Sequence, residues 1–118
     1  MTREFVSTSV FDQQWEALGL SENERRLLEI HLISNPISGD VIPGTNGLRK
    51  LRIPLKGKGT RGGGRVIYVD FFRYNRLYLL AVYGKNEKAD LSFEDKKRLN
   101  QMIQSIERLL NEKTNWQL

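Results

Sequence analysis

Apolar positions recur along this chain with two periods, and the switches between them outline its elements. Residues 3–7 read as a short opening strand, with Phe5 and Val6 facing opposite ways. Phe11, Trp15 and Leu18 follow at helical spacing. Ser9 is expected to cap this helix, with Asp12 near its exposed first-turn amides and Gly19 at its end. Ser21 and Glu24 form an S-x-x-E capping box for a second helix. Its apolar face is Leu27, Leu28 and Leu32, and Asn35-Pro36 stops it. Two short helices joined this closely are expected to pack as an αα-hairpin.

Residues 37–46 are turn-rich, with bends at Gly39-Asp40, Pro43-Gly44 and Asn46-Gly47. Strand character begins at Leu48: Leu51 and Ile53 fall on one face, Lys50 and Arg52 on the other. Residues 65–72 (RVIYVDFF) are apolar on both faces, as in a central strand. Tyr74-Asn75 makes a turn into residues 77–83 (LYLLAVY), a second two-faced strand that pairs with the first as an antiparallel hairpin. Ser92 caps the last helix with Asp95 at its third position, and Leu99, Met102, Ile103, Ile106, Leu109 and Leu110 form its apolar stripe. The order β-α-α-β-β-β-α predicts an α+β fold over residues 1–118 as one domain. A small antiparallel sheet of about four strands would carry an N-terminal αα-hairpin and a C-terminal helix on one face.

Charge changes this picture at one place. Residues 47–68 hold Arg49, Lys50, Arg52, Lys56, Lys58, Arg61 and Arg65 and no acid. Without these seven, 12 basic residues would face 14 acidic ones, so this segment supplies the entire net charge of +5. Gly57, Gly59, Gly62, Gly63 and Gly64, half of the chain's 10 glycines, lie between its two strand-like runs. Dense positive charge on a glycine-rich loop framed by strands suits a polyanion.

Composition narrows the chemistry further. The chain has no cysteine, hence no disulfide framework and no thiolate metal site. The opening MTREFVSTSVF lacks a secretory apolar region, and no run approaches the ~20 residues of a membrane span. The lack of cysteine is compatible with a reducing cytoplasm, and the basic balance leaves RNA, DNA, an acidic protein or a membrane surface open as the partner. Gly57-Lys58-Gly59-Thr60 is close to a P-loop, but a glycine separates Lys58 from Thr60 and Pro54 stands where the first glycine belongs. The single histidine, His31, excludes a histidine-pair nuclease, and Asp40, Asp70, Glu87 and Asp90 form no two-metal pattern. A nuclease here is expected to work without metal or other cofactor.

On one strand Lys50 and Arg52 project side by side, and Arg65 joins them from the next. Three cations on a rigid sheet can stabilise a pentavalent phosphorane, and a lysine crowded by other cations can serve as a general base toward a ribose 2′-OH. Tyr68, Tyr83 and Phe93 are available to stack on an unpaired base. Residue types alone leave catalysis and simple RNA affinity both open.

Three blocks resemble a known family: P-G-T-x-G-L-R-K-x-R from Pro43, G-K-G-x-R-G-G-x-R from Gly57, and Y-G-K-N-E-K from Tyr83. They look like the HigB-type branch of the RelE/ParE toxin superfamily, across nearly the whole chain. The resemblance implies a RelE-like fold and a bacterial type II toxin, an endoribonuclease that cuts translated mRNA in the ribosomal A site without metal. It implies a cognate HigA-like helix-turn-helix antitoxin, with the ribosome and mRNA as the other partners. By position it assigns Lys50, Arg52 and Arg65 to catalysis; Lys85 joins them as a candidate catalytic residue, and Arg49, Lys56, Lys58, Arg61, Tyr83, Asn86 and Phe93 are expected to bind RNA. Asn86 stands where the best-known branch has an arginine proposed as general acid, and Ser92 where it has a stacking tyrosine. Lys85, Lys58 or Arg61 would then supply the proton or charge, and Phe93 or Tyr83 the stacking. A ParE-like gyrase poison and a non-catalytic RNA- or ribosome-binding protein are the alternatives.

Overall fold

The structure, a computed structural model, describes residues 2–55, 63–87 and 90–116, with side chains described through residue 112. Its elements are β1 (Glu4–Ser7), α1 (Ser9–Ala17), α2 (Glu22–Ser34), β2 (Asp40–Val41), β3 (Arg49–Ile53), β4 (Gly64–Phe71), a one-turn 3₁₀ helix (Phe72–Tyr74), β5 (Arg76–Gly84) and α3 (Phe93–Trp116). The five strands form one sheet in the order β1-β5-β4-β3-β2. The predicted α+β class and element order hold. Two pairings are additional: β1 lies parallel to β5, so the sheet is mixed, and β2 is a two-residue edge beside β3.

The helix ends follow from their caps. Ser21 and Glu24 make the reciprocal capping box predicted for α2. At α3 the Asp95 amide donates to Ser92 Oγ at 3.0 Å and the Ser92 amide to Asp95 Oδ2 at 3.1 Å. The cap of α1 is Thr8, one residue before the expected Ser9; its side chain accepts from the Phe11 amide. Asn75, at φ 54°, closes the β4–β5 connection in the left-handed conformation that asparagine tolerates.

The helices lie on both faces of the sheet, not on one. Phe11, Trp15, Leu28 and Leu32 of α1 and α2 pack with Val66, Tyr68, Leu77, Leu79 and Val82. On the other face Leu99 and Ile103 of α3 pack with Leu48, Ile67, Val69, Leu80 and Tyr83. The two-faced apolar strands require this: a strand greasy on both sides needs cover on both.

A β-bulge sets which residue of β5 faces which helix. Tyr68 opposes Leu79 while Ile67 opposes Ala81, leaving Leu80 as the extra residue. Before it, Leu77 and Leu79 face α1 and α2; beyond it Val82 faces them instead of Ala81. Beyond the last β1 pairing, at Ser7 and Leu79, β5 backbone groups bond to α1 and its cap. Thr8 Oγ1 donates to the Leu80 carbonyl at 3.0 Å, and the Val82 amide donates to Gln14 Oε1 at 2.9 Å. The parity change places Tyr83 on the α3 face, where the candidate chemistry lies.

Candidate nucleic-acid interface

Residues directly opposed in a sheet share a face. Arg52 opposes Arg65, and Arg65 opposes Tyr83, so these three form one row across β3, β4 and β5 on the α3 face. Lys50 opposes Ile67 in the next row of the same face. Lys50, Arg52 and Arg65, separated by up to fifteen positions in sequence, are thus brought together as the alternation predicted.

Their environments differ. Arg52 is exposed, whereas Arg65 is only 6% exposed and its NH1 donates to the Gly64 carbonyl at 3.0 Å. Like charges directly opposed on neighbouring strands weaken a sheet. A row that keeps two arginines opposed gives up sheet stability, and a planar guanidinium on a strand holds its donors in fixed directions.

Asp90 supplies a carboxylate to the neighbouring lysine. Its Oδ1 accepts from Lys50 Nζ at 3.0 Å. Lys50 holds the Asp90 carboxyl below its ordinary value of 3.8, with Lys96 and Arg65 acting in the same direction. This pairing joins positions 40 apart in sequence, and no local pattern signals it.

Tyr83 is 4% exposed and packs among the apolar residues under α3. Burial raises its phenol above the ordinary 10.0, with Asp90 and Asp95 adding to the rise and Arg65 opposing it. Its ring forms a wall of the site and is not a free stacking surface. Tyr68, fully buried on the opposite face, is likewise no stacking platform: its hydroxyl donates to the Pro36 carbonyl at 2.8 Å and accepts from the Gly39 amide at 2.9 Å. Phe93 is 78% exposed at the start of α3 and can stack.

The remaining predicted residues fall in three places. Lys85 and Asn86 lie exposed in the turn after β5, where the Lys85 amide donates to the Gly63 carbonyl at 2.8 Å. Arg49 shares a face with Tyr68, away from the arginine row, and its NH1 donates to the Gly39 carbonyl at 2.8 Å and the Ile37 carbonyl at 3.3 Å. Lys56, Lys58 and Arg61 lie outside the described residues. His31 Nε2 lies 3.1 Å from Ser38 Oγ on the exposed side of α2.

Comparison with known proteins gives the fold a precedent. No protein-family model matches the chain. A double arginine-to-alanine variant of the Escherichia coli toxin RelE, solved in the free state, superposes with a TM-score of 0.57 at 13% identity, covering 83% of this chain and 97% of that one. The RelE–RelB complex of Pyrococcus horikoshii matches at 26% identity with a TM-score of 0.45, covering 75% of this chain and 100% of that one. Among the described residues no helix is long and apolar enough to cross a membrane. The sheet, the paired N-terminal helices and the C-terminal helix together make this the fold of the RelE toxin.

Proposed function

We propose that this chain is the toxin of a type II toxin–antitoxin pair, a HigB-type member of the RelE/ParE superfamily that cleaves mRNA on the translating ribosome. The observation that carries the reading is the opposed Arg52–Arg65 pair with Lys50 beside it, on the α3 face of a RelE-like sheet. In this reading the ribose 2′-OH attacks its own phosphate, the 5′-hydroxyl leaves, and a 2′,3′-cyclic phosphate remains. Arg65 and Arg52 hold the phosphate oxygens as charge builds on them. Lys50, released from Asp90 as the anionic strand arrives, adds a third positive charge, or first gives up its own proton to water and then takes the 2′-OH proton. Lys85, exposed just past β5, is one of the predicted sources of a proton for the leaving oxygen, with Lys58 and Arg61. The partners are a HigA-like helix-turn-helix antitoxin, the ribosome with its mRNA, and no membrane, in the bacterial cytoplasm.

The test is to add the purified protein to a reconstituted bacterial translation reaction and map mRNA 5′ ends by primer extension. Cuts in register with the reading frame, absent without ribosomes, are the expected result. Intact mRNA together with gyrase-dependent DNA breaks would replace this reading with a ParE-like one.

A further inference from the structure

Strand β3 is paired on its outer side only at its start, where Asp40 opposes Lys50 and Val41 opposes Arg49. Upstream of Asp40 the chain leaves the sheet: the Gly39 amide donates to the Tyr68 hydroxyl, which in turn donates to the Pro36 carbonyl. Among the described residues no strand lies beside Leu51, Arg52 and Ile53 on that side. The direction of the backbone groups follows by alternation along the strand. The Leu48 carbonyl accepts from the Ile42 amide on the β2 side, so Lys50 and Arg52 turn their amides and carbonyls the same way. Arg52 therefore presents both groups at an open edge, a template for one more strand.

Beside that edge lies a cavity of about 250 Å³ between β3 and α2. Its lining is mainly apolar: Leu51 and Ile53 from β3, Leu27 and Leu28 from α2, with Leu20 and Trp15. Leu27 is 66% exposed, an apolar side chain that the fold itself leaves uncovered. The two faces of the open edge thus differ. Leu51 and Ile53 pack on the side of α1 and α2, while Arg52 is exposed on the α3 face with Lys50. Lys50 already has Asp90, whereas Arg52 has no acidic partner among the described residues.

A strand laid along this edge alternates in the same way. Its side chains on one face enter the apolar cavity, and those on the other lie against Arg52. We infer that the outer edge of β3 is a docking site for an extended segment of a partner protein, one that alternates apolar with acidic residues. The apolar residues cover Leu27 and fill the cavity, an acidic one pairs with Arg52, and the Arg52 backbone groups complete the ladder. A second copy of this chain fits poorly, because edge-to-edge pairing sets the Arg52 side chains of two molecules, each of net charge +5, close together. In the proposed toxin–antitoxin pair the segment belongs to the antitoxin, and docking withdraws Arg52 from the phosphate. That assignment rests on the proposed function; the docking site itself does not.

The experiment is an NMR titration of the amide resonances of the full chain, without RNA. The probe is a synthetic peptide of about six residues, a usual strand length, alternating leucine with glutamate. Its controls are a copy with lysine for glutamate and two copies N-methylated, one at the leucine amides and one at the glutamate amides. Wild type, Leu27→Asp and Arg52→Glu are compared, with circular dichroism to show that each is folded. The expected result is a set of shifts centred on Leu27, Leu51, Arg52 and Ile53, with slower hydrogen exchange at the Arg52 amide. Binding is lost with the lysine peptide and with one of the N-methylated peptides. Leu27→Asp weakens it about tenfold, the scale of losing one anchor, and Arg52→Glu turns the preference toward the lysine peptide. Absence of these shifts, tolerance of both N-methylated peptides, or unchanged affinity in both variants would overturn the docking site. So would a dimer formed through this edge in sedimentation. The mRNA mapping experiment is read separately: docking on a chain that cuts no mRNA removes the proposed function and keeps the site, and cleavage without docking does the reverse.

Discussion

On the face that α1 and α2 cover, the cross-strand row Leu51–Val66–Val82 is apolar from edge to edge. One residue further along, on the α3 face, the row Arg52–Arg65–Tyr83 sets two arginines opposite each other. The same strands supply both rows, so strand propensity cannot explain the difference. The first row is what a stable sheet prefers. The second gives up cross-strand stability, and such concessions concentrate where a protein binds or reacts. Mutations on the two faces should therefore separate stability from activity.

The sharpest contrast comes from two buried residues. Phe11 is fully buried, stacked on Trp15 with ring centroids 5.6 Å apart, and the Arg25 guanidinium lies 5.3 Å from its ring centre. Phe11→Ala should cost about 3–5 kcal/mol in a denaturant titration, enough to unfold much of the protein. Arg65→Lys keeps the charge and most of the stem but loses the planar fork. It should lower mRNA cleavage about 10²–10³-fold, on the scale of removing one preorganised donor, with a far smaller change in unfolding midpoint.

A smaller stability effect is expected at Tyr68, whose hydroxyl joins Pro36 and Gly39 to the sheet. Tyr68→Phe leaves both backbone groups without that partner and should cost about 1–3 kcal/mol by chemical denaturation, with cleavage per folded molecule unchanged. At the bulge, Gln14→Leu deprives the Val82 amide of its acceptor. It should cost about 1–2 kcal/mol and also reduce cleavage modestly, because the bulge decides that Tyr83 faces Arg65. An effect on cleavage from this remote α1 residue would tie the two faces together.

The mildest test concerns Asp90. Its carboxyl, held below 3.8 chiefly by Lys50, is ionised at neutral pH. Whatever the ion pair contributes is fully present above the ordinary carboxylate value and is lost as pH falls through the depressed folded value. An NMR titration should place the Asp90 midpoint below 3.8 in the wild type and nearer that value in Lys50→Ala. Asp90→Asn removes the internal counter-ion and should tighten RNA binding a few-fold at low salt, the gain fading as salt rises.

Much of this arrangement was legible in the residues. The capping pairs Ser21/Glu24 and Ser92/Asp95 placed two helix starts, and the alternation Lys50-Leu51-Arg52-Ile53 placed two cations on one face. Other features were hidden for physical reasons. Thr8 and Ser9 are both good caps, and tertiary bonds from Thr8 to the Leu79 and Leu80 carbonyls hold the first in place. The bulge at Leu80 leaves no mark in LYLLAVY, because every residue near it is apolar or aromatic. Tyr83 therefore read as an available stacking ring, although it is buried. The placement of α3 opposite α1 and α2 was readable in principle from the two-faced strands. The Lys50–Asp90 pair was not, since it depends on how β3 meets the segment before α3.

The central claim is that the opposed arginines on the α3 face cut RNA while the apolar row behind them only holds the fold. Its most direct test is single-turnover cleavage of mRNA on programmed ribosomes, comparing wild type with Arg65→Lys and Tyr68→Phe at equal folded concentration. The account predicts ribosome-dependent cleavage leaving a 2′,3′-cyclic phosphate, reduced at least 100-fold by Arg65→Lys and unchanged by Tyr68→Phe. Equal cleavage by wild type and Arg65→Lys, both shown folded, would contradict it.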